Sequence, residues 1–351
     1  MRARQPKGVL KMYITRSPCR IPLGGGGTDL PSYYEKYEGF LISGAINKYC
    51  IVAANKLFTG QIKLSYAERE TVNTVDDIKH NLFREALKQM NILSGIEIHS
   101  IADVPSGTGL GSSGAFLVAL LNTLYLYKYG KPASKRQLAE MACHIEIEVL
   151  KEHEGKQDKY ATAFGAINAY TFRKGGFVDV RPLTNEDLLY RELEQKLFLF
   201  FTGQMRQGTA SSALKDLDEN LKKDNMDKTQ SLHKIKEIGL KTKDAFEHLE
   251  LDKFGYLLDE HWKIKKHYSP HSTSPQIDDW YDLAIDNGAL GGKIMGSGGG
   301  GGFFMFYHPC ETPTEQWHFV DAMTKKGLIN IPFAFDQEGV STLVAEKIDN
   351  D

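Results

Sequence analysis

A fold that mixes α and β is what this sequence predicts, and three observations carry the prediction. Ile96, Ile98 and Ile101 alternate as a strand does, a glycine-rich loop follows at 105–114, and residues 115–127 are apolar nearly all round, as in a buried helix. From 208 to 290 the texture changes to long, charged helical segments, and at 296–307 and 341–346 it returns to strand. That change puts a domain boundary near residue 190, dividing the chain into 1–190 and 191–351, and 351 residues suffice for two cores.

The elements follow in order. Residues 12–15, 50–54 and 61–65 are short apolar or alternating runs and read as strands, and 80–90 reads as a helix. Ser134-Lys135-Arg136-Gln137 has the spacing of a capping box for a helix running to Leu150. On that helix Leu138, Met141, Ala142, Ile145 and Val149 mark the buried stripe, Glu146 lies at its edge, and Glu148 points elsewhere. Residues 178–180 and 197–201 read as later strands.

Glycine-rich segments at 24–27, 105–114 and 296–302 point to phosphate handling, because glycine lets main-chain N–H groups approach an anion closely. In the middle segment a helix starting near Ser112 or Ser113 offers unpaired N–H groups and a positive dipole end. Its serines add hydroxyls that can cap the helix, bind phosphate or ligate Mg²⁺. Gly109-Leu110-Gly111-Ser112-Ser113-Gly114 also spells G-x-G-x-x-G, but the second strand of a dinucleotide fold is replaced by a helix-like stretch at 131–150. No Gly-Lys-Ser, Gly-Lys-Thr, His-Arg-Asp or Asp-Phe-Gly occurs, which disfavours the P-loop and protein-kinase folds.

What remains resembles the galactokinase, homoserine kinase, mevalonate kinase and phosphomevalonate kinase superfamily. Its middle motif, Pro-x-x-x-Gly-Leu-Gly-Ser-Ser, is matched from Pro105 to Ser113. The N-terminal motif is matched by Arg16-Ser17-Pro18-Cys19-Arg20-Ile21-Pro22-Leu23, running into Gly24-Gly25-Gly26-Gly27-Thr28-Asp29. The C-terminal motif is matched by Lys293-Ile294-Met295-Gly296-Ser297-Gly298-Gly299-Gly300. The resemblance implies an N-terminal α+β domain like the second domain of ribosomal protein S5, a ferredoxin-like C-terminal domain, and an active site between them.

Phosphoryl transfer needs a polyphosphate cradle, a divalent cation, a group to orient or deprotonate the acceptor hydroxyl, and positive charge. The expected ATP cradle is Pro105, Gly107, Gly109, Leu110, Gly111, Ser112 and Ser113; Ser113 and Glu146 are the expected Mg²⁺ ligands, with oxygen donors as that ion requires. The resemblance sets Glu146 about a dozen positions before the catalytic Asp, here Asp158 in Gly155-Lys156-Gln157-Asp158. On the residues alone Asp158 reads as a helix cap. Arg20 matches the family's basic position near the transferred phosphoryl group, and a guanidinium paired with Asp158 would keep that carboxylate charged.

Galactokinases carry Gly-Glu-His-Thr-Asp after the first motif; Gly25-Gly26-Gly27-Thr28-Asp29 here disfavours galactose. The variant resembles heptose-phosphate and L-fucose kinases, and Gly-Lys-Gln-Asp-Lys-Tyr together with Thr202-Gly203-Gln204-Met205-Arg206 is more similar to D-glycero-D-manno-heptose-phosphate kinases. Gly26, Gly27, Thr28, Asp29, Gly298 and Gly299 are the expected sugar contacts. For Arg206, a remote substrate phosphate and a plain surface position stay open. Related readings are a catalytically dead ATP and sugar sensor and a mevalonate-branch decarboxylase; the set Ser113, Glu146, Asp158 and Arg20 disfavours the first, and the Gly-Gly-Thr-Asp run the second.

A net charge of −2 without a basic stripe argues against nucleic acid as partner, and pairs such as Lys222-Lys223 and Lys265-Lys266 read as solvated faces. Four scattered cysteines read as reduced thiols in a cytoplasmic protein. No signal-peptide core or 18-residue apolar span stands out, so no membrane partner is expected. The partner is a small sugar or sugar phosphate.

Overall fold

The computed structural model describes residues 12–183, 186–205, 210–269, 272–296 and 301–345. The strands are β1 (Met12–Gly25), β2 (Gly39–Lys56), β3 (Ile62–Ser65), β4 (Arg69–Val72), β5 (Ile96–Ala102), β6 (Ile167–Phe172), β7 (Val178–Pro182), β8 (Leu197–Phe201), β9 (Gly291–Ile294), β10 (Phe303–Tyr307), β11 (Ile329–Asn330) and β12 (Ser341–Ala345). The helices are α1 (Pro31–Tyr37), α2 (Asn81–Gln89), α3 (Ser112–Tyr129), α4 (Lys135–Cys143), α5 (Gln157–Phe164), α6 (Glu186–Lys196), α7 (Ala210–Lys222), α8 (Met226–Glu247), α9 (Leu251–Tyr268), α10 (Pro275–Asp286) and α11 (Pro313–Thr324).

A larger sheet runs β12-β1-β2-β5-β3-β4, with β6 and then β7 joined to the first part of β2. The length of β2 makes this possible: Gly39 to Gly44 pair with β6, while Cys50 to Lys56 pair with β5. Prolines are tolerated in β1 because the β12 ladder stops at Arg16, and the β1–β2 register shifts at Pro18/Cys19 and Pro22/Gly24. A smaller antiparallel sheet runs β11-β8-β10-β9. Between the sheets, Cys19, Ile21 and Leu23 of β1 share one buried cluster with Leu197 and Leu199 of β8 and Phe303 and Met305 of β10. The two halves therefore form a continuous body.

The apolar stretch after the middle glycine loop is α3, which packs against β1, β2, α4 and α5. Its Leu117, Leu120, Leu121 and Leu124 are fully buried, each contributing about 2 kcal/mol of transfer free energy. That burial is what holds the helix start, and the loop before it, in one place.

Two sequence expectations are corrected. The helix to Leu150 is not one α-helix: α4 ends at Cys143 and a π-helical segment spans His144–Val149, with Ser134 accepting from Gln137 N–H as a simple cap. Widening the turn rotates the following side chains, so Glu146 is buried while Val149 is 43% exposed. The strand expected at 296–307 begins at Phe303, and β9 before the third glycine segment was not foreseen. β12, from the C-terminal half, pairs with β1 at Tyr13 to Arg16. Among the described residues, no helix is long and apolar enough to cross a membrane.

Candidate active site

A cleft of about 620 Å³ lies where the glycine segments meet. Its floor is backbone. Gly109, at φ 89°, lies so close to Met295 that a Cβ would stand 2.5 Å from the Met295 carbonyl oxygen, and Phe303 N–H donates to the Thr108 carbonyl at 3.2 Å. Only glycine permits that approach of the middle and C-terminal motifs.

The N-terminus of α3 opens into the cleft with no side-chain cap at Gly111, and Gly111, Ser112, Ser113 and Gly114 line the cavity. These uncapped N–H groups and the helix dipole are suited to a polyphosphate. Gly107 and Gly109 line it too, whereas Pro105 and Leu110 act indirectly. The Pro105 carbonyl accepts from the Thr108 hydroxyl at 2.9 Å; Leu110 is a core side chain whose carbonyl accepts from Arg20 N–H at 2.9 Å. Both shape the loop and do not present side chains to a ligand.

Arg20 and Asp158 meet as expected. Nε of Arg20 donates to Asp158 Oδ1 at 2.8 Å, Nη2 lies 2.6 Å from the same oxygen as an ion pair, and Nη1 donates to the Gly109 carbonyl at 2.5 Å. Asp158 stands in the first turn of α5 beside the start of α3, near enough that a Cβ on Gly114 would stand 2.9 Å from its own Cβ.

Ser113 and Glu146 also come together: the hydroxyl donates to Glu146 Oε1 at 3.0 Å. Glu146 Oε2 pairs with Lys159, which also faces Glu154 at 3.8 Å and donates to the Gly155 carbonyl at 3.2 Å. Burial opposes charge on Lys159, but Glu146, Glu154 and Asp158 reverse this and hold the amine well above its usual range. Burial pushes the Glu154 carboxyl up to about 7 against the pull of Lys159. Glu148 faces solvent, paired with His144 at 2.8 Å. One hydroxyl and one carboxylate fit a Mg²⁺ ion that takes its remaining ligands from phosphate and water; among the described residues no group of three or more His, Cys, Asp or Glu could hold a metal.

The expected sugar side divides. Gly26, Gly27 and Asp29 line the cleft, and Asp29 accepts from Gln157 N–H at 3.0 Å, linking the first motif to the Asp158 loop. Gly155 has to be glycine here, since a Cβ would overlap the Asp29 carboxylate. Burial raises the Asp29 carboxyl above its ordinary value, opposed by the Gln157 N–H and helped by Asp158. Thr28 is a correction: it is fully buried and its hydroxyl is spent on Phe40, donating to O at 3.0 Å and accepting from N–H at 3.2 Å. It fixes the loop and does not reach the cleft. Arg206, Gly298 and Gly299 lie outside the described residues.

The far wall was not anticipated. His261, Lys265 and Tyr268 recur on one face of α9 and line the cleft with Lys228 and Lys293. Lys265 is not the solvated charge its neighbour Lys266 suggested: it is buried and donates to the carbonyls of Ile294 and Gly296 at 2.9 and 2.6 Å. The i, i+4, i+7 spacing of 261, 265 and 268 was the available signal.

Residues 73–166 match the GHMP kinases N terminal domain and 242–327 the GHMP kinases C terminal domain. The D-glycero-alpha-D-manno-heptose 7-phosphate kinase of Campylobacter jejuni is 30% identical over 347 residues, 95% of this chain and 99% of its own. The chain belongs to the GHMP kinases. As a member it is an ATP-dependent phosphotransferase with an alcohol acceptor. This GHMP kinase is also similar to the galactokinase of Pyrococcus furiosus, at 25% identity over 83% of this chain and 88% of that one. In fold it matches the crystal structure of a D-glycero-D-manno-heptose 1-phosphate kinase from Bacteroides thetaiotaomicron, with a TM-score of 0.77, 24% identity, and 95% and 100% of the two chains covered.

Proposed function

We propose that this kinase phosphorylates a D-glycero-D-manno-heptose phosphate, converting the 7-phosphate to the 1,7-bisphosphate in a Mg²⁺-dependent reaction. The observation that carries the chemistry is the Arg20–Asp158 pair beside the uncapped start of α3, with Asp29 tied to the same loop through Gln157. The near-full-length likeness to the Campylobacter jejuni heptose 7-phosphate kinase supports the acceptor.

In this reading the N-terminal half, 1–190, supplies the ATP cradle from Gly107 to Ser113, and 191–351 supplies the opposite wall. Asp158 takes the proton of the acceptor hydroxyl through the carboxylate oxygen not bonded to Arg20. The hydroxyl oxygen bonds to the γ-phosphorus, the bond from that phosphorus to the bridging oxygen of ADP breaks, and ADP leaves. Arg20 stabilises the charge that develops on the transferring group. Ser113 and Glu146 hold Mg²⁺, which when bound neutralises phosphate charge. Gly26, Gly27 and Asp29 face the sugar; Arg206, Gly298 and Gly299 keep their proposed substrate roles. The product is suited to the synthesis of a nucleotide-activated heptose for surface glycans, in the cytoplasm.

The test is ADP release over a panel of heptose 7-phosphate, heptose 1-phosphate, unphosphorylated heptose, L-fucose and galactose. Highest kcat/KM on heptose 7-phosphate with one ADP per bisphosphate supports the reading; preference for L-fucose overturns the acceptor.

A further inference from the structure

The cleft holds several cations, Arg20 and Lys159 buried and Lys228 partly exposed, and their partners differ. Arg20 has Asp158, Lys159 has Glu146 and Glu154, and Lys228 reaches Asp216 at 3.0 Å and the Tyr268 carbonyl at 2.6 Å. Lys293, on β9, is 2% exposed and lines the same cleft. Among the described residues its Nζ meets one partner, His261 Nδ1 at 3.3 Å. His261 is itself buried, and its burial, with Lys293 and Lys265 beside it, holds the imidazole well below its usual range, so the ring is neutral and supplies no negative charge.

A buried lysine amine facing a neutral ring, with other cations close by, has no anion beside it to hold its charge. We infer that Lys293 is the seat of a phosphate dianion in the cleft, a binding residue for one of the phosphoryl groups the reaction brings together. The geometry fits a ligand-dependent site. Burial, reinforced by Lys265 on α9 and Arg20 on β1, holds the Lys293 amine well below the ordinary lysine range, and an incoming dianion reverses that imbalance. Lys265 stiffens the site by holding the Ile294 and Gly296 carbonyls, fixing the strand on which Lys293 stands. Two sources supply a dianion: the phosphate already on the acceptor, and the phosphoryl group in transfer.

The inference rests on the kinase reading, and its test keeps the two apart. Inorganic phosphate is the first probe: it should raise the melting temperature of the full wild-type chain, and Lys293→Met should lose most of that rise. A rise equal in the two proteins, or absent from wild type, overturns the inference whatever the turnover. If Lys293→Met does not fold, Lys293→Gln, which keeps a hydrogen bond to His261 without the charge, takes its place. The second readout is kinetic. About a tenfold or greater rise in KM for the sugar phosphate, with KM for ATP and for unphosphorylated heptose unchanged, identifies the acceptor phosphate. A fall in kcat on phosphorylated and unphosphorylated acceptors alike identifies the transferring group. Wild-type kinetics in the variant overturn the assignment. Failure of the kinase reading looks different: wild type then releases no ADP with any acceptor.

Discussion

Arg20 brings two nitrogens, Nε and Nη2, to a single oxygen of Asp158, Oδ1, and among the described residues nothing bonds to Oδ2. The pair therefore orients the carboxylate and leaves one oxygen for the acceptor hydroxyl. Asp158→Asn keeps the shape and removes the base: kcat should fall by about 10²- to 10⁴-fold with ATP affinity unchanged. Coupled ADP release with a parallel nucleotide titration measures both, and near-normal turnover would take Asp158 out of the role.

Arg20→Lys tests the fork itself. A lysine retains the charge but lacks the flat fork that reaches Oδ1 and the Gly109 carbonyl together. Turnover should drop below wild type and stay above Arg20→Met, which leaves Asp158 without its cation. Equal rates for Lys and wild type would mean that charge alone suffices.

Ser113 and Glu146 touch at 3.0 Å, so removing either should raise the Mg²⁺ concentration needed for half-maximal rate. Glu148→Ala is the control, because its carboxylate sits on the surface with His144. A Mg²⁺ titration in which Glu148→Ala shifted and Glu146→Ala did not would reverse the assignment.

Lys159→Met should destabilise the fold by about 3–5 kcal/mol, since it strips the cation from two carboxylates, Glu146 and Glu154, inside the cleft. Urea unfolding monitored by circular dichroism measures this. An unchanged midpoint would show that those carboxylates do not depend on the amine.

Glu154 gives a pH dependence with a definite sign. Its folded-state value, about 7, lies above the ordinary glutamate value, so the folded chain keeps this proton to higher pH than the unfolded chain. The stability tied to it is complete below the ordinary value and is lost as pH rises through about 7. Glu154→Gln should match wild type near pH 4 and be more stable at pH 8, by on the order of 1 kcal/mol. A variant less stable at pH 8 would mean that its ion pair with Lys159 outweighs its burial.

Much of this was legible because it depends on local chemistry. The strand, glycine loop and apolar helix from Ile96 to Tyr129 could be read directly, since an all-round apolar helix has one place to go and glycine before it has few uses. Arg20 and Asp158 needed the family resemblance: 138 residues separate them, and nothing in either neighbourhood names the other. Glu146 was found for a partly wrong reason. A regular helical period put Val149 in the core, whereas the π-helical segment turned Val149 out and carried Glu146 in. On the far wall, Lys265 and His261 stayed hidden because lysine and histidine among helical charges read as surface, and Lys293 was legible only as part of the C-terminal motif. Their burial is decided by β9 and α9 packing together, a tertiary fact.

The pairing of β12 with β1 joins residues nearly the whole chain apart, Tyr13 opposite Ala345. During synthesis the outer edge of β1 thus waits for β12 to emerge, and until then it presents unpaired backbone groups to any other extended segment. The same strand carries Arg20, but beyond that ladder, which stops at Arg16: Arg20 is held by β2, opposite Ala45. The β1–β2 ladder can therefore set the catalytic cation while the outer edge of β1 still awaits its cover against strand-to-strand association.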